Sequence, residues 1–425
     1  MTCAVIDAYG IARFLPAALR RHGVECVHVR SATPDVHLDY RPQDFSVDLA
    51  ADPDPAVTAA LLRAEGVEFV VAGAESGVLL ADALSSELGT PGNGMTHPAA
   101  RRDKFAMVEA VAAAGIPTAA SLSSADAERT VAWAAELGEP PVVLKPVASA
   151  GTDNVYFCSS AAQIREAHAA ILADTDRFGL RNTTVLAQQF LDGAEHFVNT
   201  VSRDGVHHVV EIWRYNKRPA PGGRSINDFD YPLDLDDPTA RRLAAYVLPV
   251  LDALEIRNGA AHTEVMLTAR GPVLVECAAR LGGAQLPHVI SRCLGIDQVD
   301  ALAQAIAAPH RVLDGTLPAA RRLTTLRYVN LISPGAGVVP SGAGWDRLRA
   351  LPSYLDMVLT IPEGEPVVQT LDLVTSPGYV YLSSDDPRQV AADYRRLREL
   401  ELDGLYGAHA AAPAPDPAPA AAPVR

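Results

Sequence analysis

The sequence predicts a mixed α/β and α+β protein in which a Rossmann-like parallel sheet precedes a strand-rich body. Three observations predict it. The first ninety residues alternate short β-branched runs with helical patterns, the stretch from Arg101 turns to longer helices between strands, and strands dominate after Asp192. CAVID (Cys3 to Asp7) and VECVHV (Val24 to Val29) read as strands around a helix from about Arg13 to His22, which Gly23 ends. VEFVVAG (Val67 to Gly73) reads as a buried parallel strand, followed by a helix from Leu79 to Leu88 and a turn-rich GTPGNG. Gly10 stands alone where a dinucleotide fingerprint needs G-x-G-x-x-G, which argues against NAD or FAD at this sheet.

The helix DKFAMVEAVAAAG closes at Gly115 and Pro117, and a second helix covers about Ala125 to Leu137. VVLKP, the loop ASAGTDN, VYFC, a helix from about Ala161 to Leu172 and VLAQQFL complete a compact α+β segment. HFVNTVS, HHVVEIWRY, AHTEVML and PVLVECA then follow as strands, with TTLRYVNLI, YVYLSS and a helix near Gln389 to Leu400 in the last hundred residues. The ending AHAAAPAPDPAPAAAPVR offers almost nothing to bury and reads as a disordered Ala/Pro tail over 406–425.

At 425 residues and 48% hydrophobic, the chain can bury two or three domain cores. Its 36 Lys+Arg against 51 Asp+Glu give a net charge of −15, and its pI is near 5.2, which opposes binding to nucleic acid or anionic membranes. Five scattered cysteines without a C-x-x-C pair point to neither disulfides nor zinc, and a reducing, cytoplasmic setting fits. The amino terminus has no signal-peptide pattern, and no apolar run reaches membrane-spanning length.

AHTEVMLTARGPVLVECAARLGG (Ala261 to Gly283) carries the most chemistry. A three-residue hairpin loop, Ala269-Arg270-Gly271, pairs Thr268 with Pro272 and sets Glu264 opposite Glu276. Like charges on facing strand positions repel, so the pair asks for a cation. Oxygen donors without His or Cys neighbours favour Mg²⁺, with Mn²⁺ as the alternative ion. The competing reading is an exposed face with two unrelated glutamates, and a two-residue loop would move the pair out of register. Arg280 follows four residues later, either steadying an oxyanion or in a surface ion pair.

Lys145 ends an apolar strand before the Ser149-Ala150-Gly151-Thr152 loop, whose N–H groups could close over phosphates; a snorkelling edge lysine is the alternative. Lys104 opens a helix and reads by itself as a solvated charge. QQFLDGAE (Gln188 to Glu195) is a strand that ends in an Asp-Gly turn. In EIWRYNKRPAPGGRSINDFDY, Trp213, Tyr215 and Lys217 share one strand face, and Arg224 in the following loop could anchor a substrate carboxylate. The competing reading is an exposed cationic strand. The small residues Gly283 and Ala284 leave room for a bulky acyl donor.

The order Lys104, VVLKPVASAG, QQFLDGAE and HTE-x11-E-x3-R resembles the ATP-grasp superfamily, and within it the carboxylate-amine ligases that join L-amino acids. The resemblance spans roughly Val67 to Leu294. It implies an ATP-grasp fold behind an N-terminal pre-ATP-grasp domain: 1–95, then 96–310 with a small lobe at about 115–192, then a C-terminal extension at 311–405. It also implies that Lys104, Lys145, Ser149, Gly151 and Thr152 meet the ATP phosphates, that Gln189, Phe190 and Leu191 meet adenine, and that Glu195 meets ribose. Glu264 and Glu276 are the implied Mg²⁺ ligands, and Lys145 and Arg280 the implied catalytic cations. Ala278 stands where many members carry Asn, which leaves the number of metal ions open.

The implied reaction activates a carboxylate, an amino acid's for preference, as an acyl phosphate that an amine then attacks, with ADP and phosphate released. His262 lies beside the carboxylates as a substrate-side residue or a core histidine. Competing functions are another ATP-grasp ligase, a carboxylase, for which no A-M-K-M-like biotin motif occurs, and a nucleotide-binding protein without turnover. Small-molecule carboxylate and amine substrates are the expected partners, and a homodimer is left open.

Overall fold

The computed structural model describes residues 1–32, 41–138, 141–149, 154–176, 178–219, 225–283 and 285–407. Strands β1 (Thr2–Ile6), β2 (Glu25–Arg30), β3 (Val47–Ala50) and β4 (Val67–Ala72) form a parallel sheet in the order β3-β2-β1-β4. Helices α1 (Leu15–Arg21), α2 (Pro55–Ala64) and α3 (Val78–Leu88) connect and cover it. The strand order reverses beside β1, so the carboxyl ends of β1 and β4 border a crevice, the usual place for ligands in such sheets. β3 and α2 fill a stretch for which no element was expected.

Helix α4 (Lys104–Ala113) begins at Asp103, whose carboxylate caps the N–H groups of Phe105 and Ala106. Strands β5 (Ser121–Ser124), β6 (Val142–Pro146), β7 (Tyr156–Cys158) and β8 (Val185–Gln189) then form an antiparallel sheet in the order β5-β8-β6-β7. With α5 (Ala127–Glu136) and α6 (Ala161–Ala173) this sheet encloses its own core of Val142, Leu144, Ile164, Ile171, Val185 and Ala187.

The third sheet has eight strands. β9 (Gly193–Arg203), β10 (Val206–Pro219), β11 (Ser225–Pro232), β12 (Gly259–Thr268) and β13 (Gly271–Ala278) are joined by β14 (Thr325–Asn330), β16 (Tyr354–Leu359) and β18 (Gly378–Ser384), while β15 (Gly337–Val338) and β17 (Pro366–Val367) form a separate ribbon. The order is β13-β12-β9-β10-β11-β14-β18-β16. Helices α7 (Pro238–Ala253), α8 (Pro287–Leu294), α9 (Gln298–Ala307) and α10 (His310–Leu313) pack against its first half, and α11 (Asp346–Arg349) and α12 (Pro387–Leu402) against its second.

The amino-terminal sheet does not close its own core. Ile6, Val27 and Leu84 share one cluster with Leu243, Val247, Val265 and Leu274, and Leu15 and Leu19 share another with Leu302 and Ile306. Tyr406, expected to open the tail, is instead part of the fold: it is buried and its carbonyl accepts the Val338 N–H. The rest of that tail, from 408, lies outside the described residues. Among the described residues no helix is long and apolar enough to cross a membrane, and all five cysteines are buried and free.

Candidate active site

The β12–β13 hairpin sets Glu264 opposite Glu276, but by a different route from the expected one. Thr268 pairs with Gly271 across a two-residue loop, Ala269-Arg270, and the ladder runs regularly to Val265 and Leu274. Val275 is then an extra residue, a β-bulge, and the register beyond it matches the two glutamates. The loop is one residue shorter than expected and the bulge adds that residue back. Val265, Leu274 and Cys277 face the core, so the glutamates face away from it.

What they face is a cavity of about 240 Å³ over the large sheet, bordered by Glu195, Lys217, His262, Glu264, Glu276, Arg280 and Gly283 among others. Sequence-predicted residues from four strands thus converge. Lys104 is almost fully buried, unlike a solvated charge: its ammonium lies 3.0 Å from Glu276 Oε1 and donates to the Ser149 carbonyl. Ser149 is buried as well. Lys145 is buried at the end of β6, and burial together with the Lys104 charge lowers its pKa to about 8 against the pull of Glu276, Glu264 and Glu195.

Glu264 accepts a hydrogen bond from the Tyr215 hydroxyl at 3.2 Å, and His262 Nε2 stands 3.6 Å from the same oxygen. Burial alone would raise this carboxyl's pKa; His262, Lys217 and Tyr215 outweigh it and hold the group below the ordinary carboxylate range. His262 Nδ1 lies 2.8 Å from Asn199 Oδ1. The Asn199 amide donates to Glu211 Oε1 (2.9 Å), and Trp213 Nε1 donates to Glu211 Oε2 (2.8 Å). Burial pushes Glu211 up to about 7. Trp213 borders the cavity yet is fully buried, stacked on Phe197 with ring centroids 5.9 Å apart, so it supports the floor. Phe197 and Tyr215 border the cavity beside it.

Lys217 Nζ donates to Glu195 Oε2 at 2.5 Å. Arg280 Nε donates to Glu75 Oε2 (3.0 Å), and Arg102 Nη1 donates to Glu75 Oε1 (2.7 Å). Glu75 follows β4 at the crevice of the amino-terminal sheet, so that sheet orients Arg280. Burial raises the Glu75 pKa, and Arg280, Arg102 and Lys104 bring it below the ordinary value. Sequence reasoning missed Glu75, Asn199 and Glu211; a buried acid between two arginines far apart in the chain has no local signature.

Gln189 to Leu191 lie between the end of β8 and the start of β9, the joint of the two antiparallel sheets, and do not border the cavity. The Phe190 ring meets Phe157 edge-on at 6.0 Å. Gly151, Thr152, Arg224 and Ala284 lie outside the described residues. Among the described residues no group of three or more His, Cys, Asp or Glu side chains could hold a metal by itself. Two opposed carboxylates still fit a hard cation that takes its remaining oxygens from phosphate and water, which is how Mg²⁺ is commonly held.

The ATP-grasp domain profile matches residues 139–288. Dapdiamide A synthase of Enterobacter agglomerans is 32% identical, over 94% of this chain and 95% of that one. In fold the chain is similar to the crystal structure of an L-amino acid ligase from Bacillus licheniformis, with TM-score 0.72 and 20% identity over 94% of this chain and 97% of that one. It is also similar to that of an N5-carboxyaminoimidazole ribonucleotide synthetase from Thermotoga maritima, with TM-score 0.66 and 16% identity over 94% and 98%. With 32% identity to one member along nearly the whole of both chains and a matching domain profile, the chain belongs to the ATP-grasp family, as an ATP-dependent ligase that forms carbon–nitrogen bonds.

Proposed function

We propose that this enzyme joins the carboxylate of an amino acid to the amine of a second small molecule, through an acyl phosphate. The observation that carries the reading is the Glu264–Glu276 pair with Lys104, Lys145 and Arg280 around it: two acids and three cations converging from distant parts of an acidic chain. A carboxylate is a poor electrophile, so the ATP γ-phosphoryl passes to its oxygen, the bond to ADP breaks, and phosphate becomes the leaving group. The neutral amine then attacks the acyl carbon, phosphate departs, and the amine gives up a proton.

Lys104 and Lys145 would hold phosphate oxygens. Their burial makes each charge act more strongly than it would in water. Arg280, fixed through Glu75, would orient the carboxylate and stabilise the oxyanion of the second step. Glu264 and Glu276 would hold Mg²⁺, which when bound supplies positive charge for the transferring phosphoryl group. Glu195 would meet the ribose and the backbone of Gln189 to Leu191 the adenine, in keeping with their place at the joint between the sheets. Dapdiamide A synthase and the L-amino acid ligase are named for products and substrates of this amide-forming kind, which supports amino acids as the substrate class.

Phosphate release measured with ATP, Mg²⁺ and pairs of amino acids tests the proposal. Release should require a carboxylate and an amine together and should yield ADP. AMP as product, or release indifferent to the second substrate, overturns it. Glu276→Gln should abolish turnover in the same assay, and an active variant refutes the metal assignment.

A further inference from the structure

The far wall of the cavity, on β11 and β14, carries polar groups that the reaction above leaves unused. Asp230 is 6% exposed and Asn330 3% exposed, and both border the cavity. Asp230 Oδ1, Asn330 Nδ2 and Asn227 Oδ1 have no hydrogen-bond partner among the described residues. Such orphaned buried groups are rare in folded proteins and call for an explanation.

The register shows how they come to share one wall. Tyr215 pairs with Asp230, Lys217 with Asn227, and Asp230 with Tyr328. Asp230 and Asn227 are three apart and would face opposite ways on a regular strand. The bulge opposite Asn216 and Lys217 adds one residue to β11, so both face the cavity while Asp228 turns back to Arg398.

The charge of this wall is unbalanced. Lys217 is the cation nearest in effect to Asp230, and its ammonium is already bonded to Glu195. Among the described residues, Asp230 therefore shares its main cation with Glu195, in a place where burial makes an unpaired carboxylate costly. Burial also raises the Asp230 pKa well above the usual range, as suits a carboxyl group that ionises fully only when a cation arrives.

We propose that Asp230, with Asn227 beside it, is the subsite for the ammonium group of the carboxylate-donating substrate, whose carboxylate lies at the Arg280 end of the same cavity. The inference rests on the ligase reading above. An ammonium group fits the two open acceptors of this wall, Asp230 Oδ1 and Asn227 Oδ1, whereas Asn330 Nδ2 is a donor and takes no part in holding it. It belongs to the donor because the attacking amine of the other substrate must be neutral, and a facing carboxylate would keep that amine protonated. Asp230 is thus a specificity residue, and the reacting atoms lie elsewhere.

The test uses the full chain with ATP and Mg²⁺. The probes are the twenty proteinogenic L-amino acids as donors and, for each one that supports ADP formation, the acid of the same skeleton with hydrogen in place of the ammonium group. The wild-type enzyme should prefer the ammonium-bearing donor by about 100-fold or more in kcat/KM, because a site built around a polar group rejects the analogue that lacks it. Asp230→Asn should lose most of that preference through a raised KM for the amino acid, with the KM for ATP unchanged. An unchanged preference in Asp230→Asn, or a wild-type enzyme indifferent to the ammonium group, overturns the subsite and leaves the ligase reading standing. ADP formation that never depends on a donor carboxylate overturns the ligase reading itself. The wild-type comparison needs no variant, so a misfolded Asp230→Asn protein does not shelter the proposal.

Discussion

At the scale of single residues, the hydrogen-bonded run from His262 through Asn199 to Glu211 and Trp213 stiffens the floor beside Glu264. Gly282 backs directly onto it: a Cβ there would lie 2.9 Å from both Asn199 Oδ1 and His262 Nδ1, and neither side chain is free to retreat. Gly282→Ala should therefore lower kcat/KM by about 100-fold, the scale of a 1 Å misplacement at a reacting site, while the chain still folds. Steady-state kinetics beside a melting curve checks this. Glu211 gives a pH prediction. Its carboxyl is held near 7 against an ordinary 4.5, so the folded chain binds that proton more tightly than the unfolded one. The stabilisation is full below about pH 4.5 and is lost as pH rises through 7. In Glu211→Gln that dependence disappears, so the melting-temperature advantage of the wild type should shrink between pH 5 and pH 8. An advantage independent of pH argues against the assignment.

At the scale of elements, two bulges do the placing. The one at Val275 restores the register that the short loop removes, and this explains why the glutamate pair was legible in the sequence although the loop was misjudged: two one-residue errors cancelled. The bulge in β11 splits three neighbours, with Asn227 and Asp230 toward the cavity and Asp228 toward α12, where it takes the Arg398 guanidinium and the Tyr394 hydroxyl. Arg398 also holds Glu401 and the Asn330 carbonyl. Arg398→Leu leaves two buried acids without their cation, a loss of about 3–5 kcal/mol. It should lower the melting temperature by several degrees and raise the donor KM more than the ATP KM. The helices at 161–172 and 389–400 and the long strands were readable because their apolar spacing is regular and their caps are written locally. Glu75 and Asp230 were not readable, since each matters through contacts that only the tertiary fold creates.

At the scale of the molecule, the amino-terminal sheet is bound into the body more firmly than a linker-separated domain would be. Arg101 is fully buried, donates to Asp82 and to the Gly94 and Leu254 carbonyls, and lies beside a core that both parts share. A chain that starts at residue 96 should therefore show no cooperative melting transition, and a sharp one would disprove the shared core. The net charge of −15 also takes on a local meaning, because Lys104, Lys145, Arg102 and Arg280 gather where the chain has acids to balance them. The small antiparallel sheet is the exception to this cohesion: it has its own core and meets the large sheet through the short run from Gln189 to Gly193. Rotation at that joint leaves both cores intact and is opposed by polar bonds such as those of Lys104 to Ser149 and Val147, Arg102 to Ala148 and Tyr246 to Pro117, and by whatever nucleotide lies between. Turnover should then be paced by the swing that frees ADP, and should slow in proportion to solvent viscosity.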